Sequence, residues 1–206
     1  MFDAFRSVRR VLEETWRKQS FGSADSVPIT DYAMLQGLVL GLNCRSVVDT
    51  RFECGHMAAA IGLAFNRLPP GGAECKYVAV DPKREAAQFM FYFLKRRYPD
   101  LARRSFVLVG DCTKMLRTIK AATVDLGIVR SPSADDFQEV LGEMKRIVRP
   151  SGLICVYDCV GDPAARDDLA LCPDPFSKDA IVITRKGEKA GLTIYQNCNW
   201  SRDEVI

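Results

Sequence analysis

The chain contains a single histidine, His56, and none of its eight cysteines forms a CxxC pair. A zinc site with the usual His and Cys spacing is therefore excluded. Cys44, Cys54, Cys75, Cys112, Cys155, Cys159, Cys172 and Cys198 are scattered, several in or beside apolar runs, and read as reduced thiols acting as small buried hydrophobes. Long hydrophobic runs are also missing: Ile147-Val148 is cut by Arg149-Pro150, and Leu153 to Tyr157 by Asp158. A membrane helix needs roughly 20 apolar residues, so no span is expected. Asp3, Arg6, Arg9, Arg10, Glu13 and Glu14 interrupt the start of the chain, which excludes the apolar core of a secretory signal there and makes a cytoplasmic location the expectation. The net charge is only +3, too little to imply nucleic acid by itself. Lys95, Arg96, Arg97, Arg103 and Arg104 cluster locally and read as a solvated helix face with its exit loop. Internal repeats and low-complexity segments are absent.

What is present is globular. With 206 residues, 48% hydrophobic and 27% charged, the chain fits one domain with a sizeable core. Phe5, Val8, Leu12 and Trp16 recur at helical spacing, so residues 1–28 read as an amphipathic helix and a Gly/Ser/Pro-containing linker ahead of a core over 29–206. The exposed stripe of that helix would permit a homodimer. Thr30-Asp31 opens a helix to about Leu42. Then strands and helices alternate: strand Ser46–Asp49, helix Met57 to about Leu68, strand Lys76–Asp81, helix Glu85–Tyr98, strand Ser105–Val109, strand Val124–Val129, helix Asp135–Val148, strand Leu153–Tyr157. Nearly continuous apolar strands separated by helices imply a parallel sheet covered on both faces. Ala180–Thr184 and Leu192–Gln196 are separated by too few residues for a crossover helix, so they pair antiparallel. The expected fold is α/β, Rossmann-like and doubly wound, with a mostly parallel seven-stranded sheet ending in an antiparallel hairpin.

In such sheets ligands bind beyond the carboxyl ends of the strands, where the winding reverses. Four strands end in or next to an acid: Asp49, Asp81, Asp111 and Asp158. One such acid is readily a helix cap; four in succession suggest a site. Asp81 can accept both hydroxyls of a ribose, with a cap ahead of Pro82 as the alternative. Gly55 lets the backbone approach a ligand closely, and Asp111 or the amide of Cys112 can receive an adenine edge.

These segments resemble catechol-type (caffeoyl-CoA-like) O-methyltransferases of the class I S-adenosylmethionine-dependent group. Val47-Val48-Asp49-Thr50-Arg51-Phe52-Glu53-Cys54-Gly55-His56-Met57 resembles the family's first motif, matching at Asp49, Cys54 and Gly55. Ile29 to Leu35 resembles the helix that closes over the cofactor, Leu68-Pro69-Pro70-Gly71-Gly72 the turn before the second strand, and Val78-Ala79-Val80-Asp81-Pro82 the ribose-binding motif. Val109-Gly110-Asp111 resembles the segment beside the adenine, and Val148 to Ile154 the turn into the fifth strand. The resemblance implies S-adenosyl-L-methionine as cofactor, held by Asp49, Cys54, Gly55, His56, Asp81, Pro82, Asp111 and Cys112.

The departures carry equal information. Arg51 stands where the family's first glycine lies under the methionine part of the cofactor. The family's metal ligands, an acid after the fourth strand and an Asp-Asn pair after the fifth, correspond to Arg130, Asp158 and Cys159, and its catalytic lysine is missing from Ser131-Pro132-Ser133-Ala134. A guanidinium in a site for a hard cation is electrostatically unfavourable, so no metal is expected. Arg130 is expected to pair with Asp158 in its place. Two functions follow: a metal-independent methyltransferase with Asp158 and His56 as candidate bases, on an acceptor the sequence does not identify, or a degenerate relative serving as a binding or scaffolding module. His56 could equally be a loop residue bonded to backbone. The retained cofactor motif favours the enzyme. A third class, an RNA-directed methyltransferase using the basic cluster, would show binding that falls steeply with salt.

Overall fold

The computed structural model describes residues 29–52, 55–69, 75–89, 92, 95–97, 99–130, 134–157, 181–183 and 192–197. The expected N-terminal helix and linker, Cys54, Ser131 to Ser133, Asp158, Cys159, and the loop 162–178 lie outside these residues.

Helix α1 (Ile29–Gly41) leads into β1 (Ser46–Asp49), α2 (His56–Phe65) and β2 (Lys76–Asp81). Three short helical pieces follow, α3 (Arg84–Phe89), α4 (Lys95–Arg97) and α5 (Pro99–Ala102), before β3 (Ser105–Val109). Then come α6 (Cys112–Arg117), β4 (Val124–Arg130), α7 (Ala134–Ile147), β5 (Val148–Tyr157), β6 (Ile181–Ile183) and β7 (Leu192–Gln196). The strands form one sheet in the order β3-β2-β1-β4-β5-β7-β6. β1 to β5 run parallel, and β7 pairs antiparallel with both β5 and β6. β1 lies between β2 and β4, so the winding reverses there and the strand ends of β1 and β4 frame a crevice.

Side-chain alternation divides the core into two layers. Val47, Leu126, Ile128, Cys155 and Tyr157 face α1 and α2, whereas Val48, Val124, Val129, Ile154 and Val156 face α7. β1, β4 and β5 thus bury side chains on both faces, which is why their sequences read as apolar runs rather than alternating ones. Helix α7 shows the opposite pattern: Phe137, Val140, Leu141, Met144 and Ile147 are buried at helical spacing while Gln138, Glu139 and Gly142 are exposed. It lies close to the sheet because Gly127 of β4 has no side chain. A Cβ there would come within 2.4 Å of the Met144 sulfur.

Several elements differ from expectation: β4 runs on to Arg130, and the helix expected over Glu85–Tyr98 is described as the separate pieces Arg84–Phe89 and Lys95–Arg97. Helix α2 ends at Phe65 rather than Leu68, closed by backbone bonds from Asn66. β5 begins at Val148, not Leu153: the segment read as a turn continues the strand, with a register shift opposite Val124 to Leu126 and Ser151 at φ 65°. Helix α6 was not expected at all. Asp111 caps it by accepting the Lys114 N–H at 2.9 Å, and only Thr113 and Leu116 are buried along its length, too few to show a period.

Candidate functional site

At the C-terminal ends of β1 and β4 two opposite charges are buried together. Asp49 is fully buried, and Arg130 is 5% exposed. The Arg130 Nε donates to Asp49 Oδ1 at 3.0 Å, and an Nη donates to Oδ2 at 2.9 Å, a fork-to-fork pair. The Tyr77 hydroxyl donates to Oδ2 at 2.7 Å and the Arg51 backbone N–H to Oδ1 at 3.0 Å. Four donors fill the acceptor capacity of one carboxylate. Asp49 therefore holds Arg130 and the β1 loop, and its own oxygens are committed to protein. Burial pushes the Asp49 carboxyl up, while Arg130, Tyr77 and the Arg51 N–H pull it down. Because the guanidinium keeps its charge, the ionised pair is the working state. Burial likewise pushes the Tyr77 phenol well up, so it stays a neutral donor. The pairing expected with Asp158 falls outside the described residues; among the described residues Arg130 pairs with Asp49.

Asp81 occupies the end of β2, 3% exposed. Its Oδ2 accepts the Phe52 N–H at 3.2 Å and its Oδ1 the Lys83 N–H at 2.9 Å. The second bond is the local turn that a strand-end Asp makes over a following proline; the first ties the β1 loop to β2. Each carboxylate oxygen can accept two hydrogen bonds, so a ribose diol could share these oxygens with the backbone. Phe52 is itself buried, its ring so close to Gly55 that a Cβ there would sit 2.9 Å from Cζ. Gly55, at φ 74°, is the residue from which α2 departs. Its missing side chain serves Phe52 as much as any ligand.

His56, the first residue of α2, packs edge-on against Tyr32 of α1 with ring centroids 6.4 Å apart. Its Nε2 is buried and has no hydrogen-bond partner. Burial, assisted by the Arg130 charge, lowers its pKa to about 4. The bland alternative, a histidine bonded to loop backbone through this nitrogen, is not realised. A folded-state pKa below the unfolded 6.5 means that the unfolded chain takes up the proton first, so stability falls as pH drops from 6.5 toward 4. Relative to His56→Gln, the wild-type protein is expected to lose on the order of 1–2 kcal/mol between pH 7 and pH 5, read from urea midpoints. Equal slopes would place His56 in water.

Asp111 is exposed and caps α6, the structural alternative to its expected role beside an adenine. The Cys112 thiol is pushed up to about 12 by burial and the surrounding carboxylates, so it stays protonated. The structure thus brings Asp49, Gly55, His56 and Asp81 together around the β1 loop. It adds Arg130, Tyr77, Phe52 and Tyr32, none of which sequence motifs pointed to as a group. Tyr77 was hinted at only by a polar tip in an otherwise aliphatic strand. Among the described residues no cluster of three or more His, Cys, Asp or Glu could hold a metal ion. At the end of β4, where a divalent ion would need an oxygen ligand, the buried group is a guanidinium, which does not fit one.

No protein-family model matches the sequence, and no curated protein matches it. Solved structures do. Cofactor-bound Rv0187 from MTB superposes with a TM-score of 0.72 at 17% identity, over 96% of this chain and 91% of that one. The O-methyltransferase TomG from Streptomyces achromogenes, in complex with SAM, gives 0.70 at 18% identity over 95% and 90%. An O-methyltransferase from Bacillus cereus, in complex with SAH, gives 0.66 at 17% over 94% and 90%. The chain has the fold of these three proteins, the latter two of them O-methyltransferases. Within that fold the crevice between β1 and β4 is the topological switch point; Asp49 and Arg130 pair there, and Asp81 at the end of β2 is tied to the β1 loop through the Phe52 N–H. No helix among the described residues is long and apolar enough to cross a membrane.

Proposed function

We propose that the chain binds S-adenosylmethionine at the ends of β1 and β2 and transfers its methyl group to an acceptor oxygen without a divalent cation. The observation that carries this reading is Asp81, a buried carboxylate at the end of β2 whose oxygens are steered by two backbone N–H groups beside the β1 loop. Asp81 would receive the ribose hydroxyls, the backbone around Gly55 would run beneath the methionine part, and α1 would cover it through Tyr32. When bound, the cofactor supplies an electrophilic methyl on a sulfonium. The protein's share is alignment of donor and acceptor, and removal of the acceptor proton. His56, kept neutral by burial near the Arg130 charge, and Asp158 are the candidate bases. Arg130 supplies a fixed positive charge where related chemistry would use an ion, with Asp49 keeping that charge in place.

Isothermal titration with S-adenosylmethionine and S-adenosylhomocysteine tests this. Micromolar binding, unchanged by magnesium or by chelator, is expected. Binding that appears only with magnesium would reject the metal-free reading.

A second reading, a module that binds but does not transfer, draws on Asp49 itself. Its acceptor sites are all taken by protein, which leaves the β1 loop with one fewer group for a ligand. Release of S-adenosylhomocysteine during incubation with a panel of phenolic and carboxylic acceptors separates the two.

A further inference from the structure

Strand β3 is an edge of the sheet: among the described residues its one neighbouring strand is β2. The ladder fixes which backbone groups are used. The Gly110 N–H donates to the Asp81 carbonyl at 3.1 Å, and the Arg104 carbonyl accepts the Tyr77 N–H at 2.8 Å, so the even-numbered residues of this segment turn their backbone toward β2. Val107 and Val109 therefore turn theirs outward, and no hydrogen bond from a described residue reaches those groups. Val109 is 40% exposed and Phe106 48%. Ser105 is buried and its hydroxyl donates to the Leu101 carbonyl, so the accessible edge begins after it.

Edge strands are commonly guarded against pairing by a charge, a proline or a bulge. Ser105–Val109 has none of these: it reads Ser-Phe-Val-Leu-Val, and its register against β2 is regular throughout. Charges stand only outside it, Arg103 and Arg104 before the strand and Asp111 after it, with Arg103 and Asp111 exposed. An edge that is basic at its start and acidic at its end repels a parallel copy of itself and attracts an antiparallel one. A closed two-fold pair is by symmetry antiparallel.

We propose that β3 pairs antiparallel with β3 of a second copy of this chain, about a two-fold axis at Leu108, so that the sheet continues across a dimer. Val107 and Val109 of one copy then exchange four N–H···O=C bonds with Val109 and Val107 of the other. Phe106 falls opposite Gly110 of the second copy, where the missing side chain leaves room for a ring: a Cβ there would lie 3.4 Å from Met115 Cε, so the ring meets a thioether. Arg103 and Arg104 come alongside Asp111 of the second copy. The register with Val107 on the axis would need the backbone of buried Ser105 and is not used. An extended segment of an unrelated protein could take the same outward groups, but the opposite charges at the two ends of β3 are complementary to this chain itself. The pairing does not depend on the proposed methyl transfer.

Sedimentation equilibrium of the full chain tests it. A dimer is expected to dominate at about 50 μM, a moderate affinity suited to a small contact. Val109→Pro removes an outward N–H without touching the β2 ladder, a place where an edge strand tolerates proline, and is expected to weaken the dimer about tenfold or more. Phe106→Ala is expected to weaken it by a similar factor of about ten. Leu108 on the axis is a non-hydrogen-bonded pair with Cα atoms about 4.5 Å apart, within disulfide reach, so Leu108→Cys should cross-link into a covalent dimer under oxidised glutathione while the wild-type cysteines do not. Unfolding midpoints check that each variant folds; Phe106→Ala and Leu108→Cys decide the matter if the proline variant does not. A monomer at 50 μM overturns the proposal. So does a dimer that Phe106→Ala leaves intact and Leu108→Cys fails to trap, which assigns association to another surface.

Discussion

Arg130→Met is expected to destabilise the protein by about 3–5 kcal/mol, the cost of leaving a buried carboxylate without its counter-charge. Asp49 is fully buried and takes two of its four hydrogen bonds from this guanidinium. Methionine fills much of the arginine volume, so the loss reports charge rather than a cavity. The double variant Asp49→Asn with Arg130→Met removes both charges and should recover a large part of the loss, giving a coupling energy above about 1 kcal/mol in a double-mutant cycle. The pH dependence carries a further signature. Without Arg130, burial raises the Asp49 carboxyl still further above its unfolded value, so the folded variant binds a proton the unfolded chain releases. Stability lost to the substitution is then partly regained as pH falls from 8 toward 5. Urea unfolding at three pH values measures all of this. A single-variant cost below about 1 kcal/mol would mean that the pair contributes nothing net to the folded state.

Asp81→Ala should weaken S-adenosylmethionine binding at least about 100-fold, because two hydrogen bonds to a charged acceptor at about 1.5–3 kcal/mol each would be lost. The same substitution releases the Phe52 N–H and so loosens the β1 loop. Asp81→Asn separates the two effects. It keeps an acceptor for the loop while surrendering the charge, and an intermediate loss of about tenfold is expected. Titration calorimetry gives both numbers. Unchanged affinity in both variants would move the cofactor away from β2, whereas a wild-type protein that never binds would favour the non-transferring reading.

The strands were legible as short apolar runs: β1, β2, β3 and β7 fall where those runs predict, and the charged or Gly/Pro residues at their ends mark the boundaries. Helix α7 was legible from its period. Helix α6 was not, since six residues with two buried side chains carry no periodic signal and only the Asp111 cap announces it. The start of β5 was misread because Arg149-Pro150-Ser151-Gly152 has turn composition, yet Ser151 adopts a positive φ and the pairing with β4 continues past the irregularity.

The chain by itself determined the parallel order of elements, the crevice at the strand ends and the acids Asp49 and Asp81 within it, because strand-end chemistry and hydrophobic period are local properties. It also placed a guanidinium, that of Arg130, at the end of the fourth strand. That this guanidinium meets Asp49 was decided only by the tertiary structure. Asp49 and Arg130 are 81 residues apart, and they touch because β1 and β4 are neighbours at the reversal of winding. The same holds for the surroundings of His56: no window of sequence contains Tyr32, His56 and Arg130, and packing alone fixes their distances.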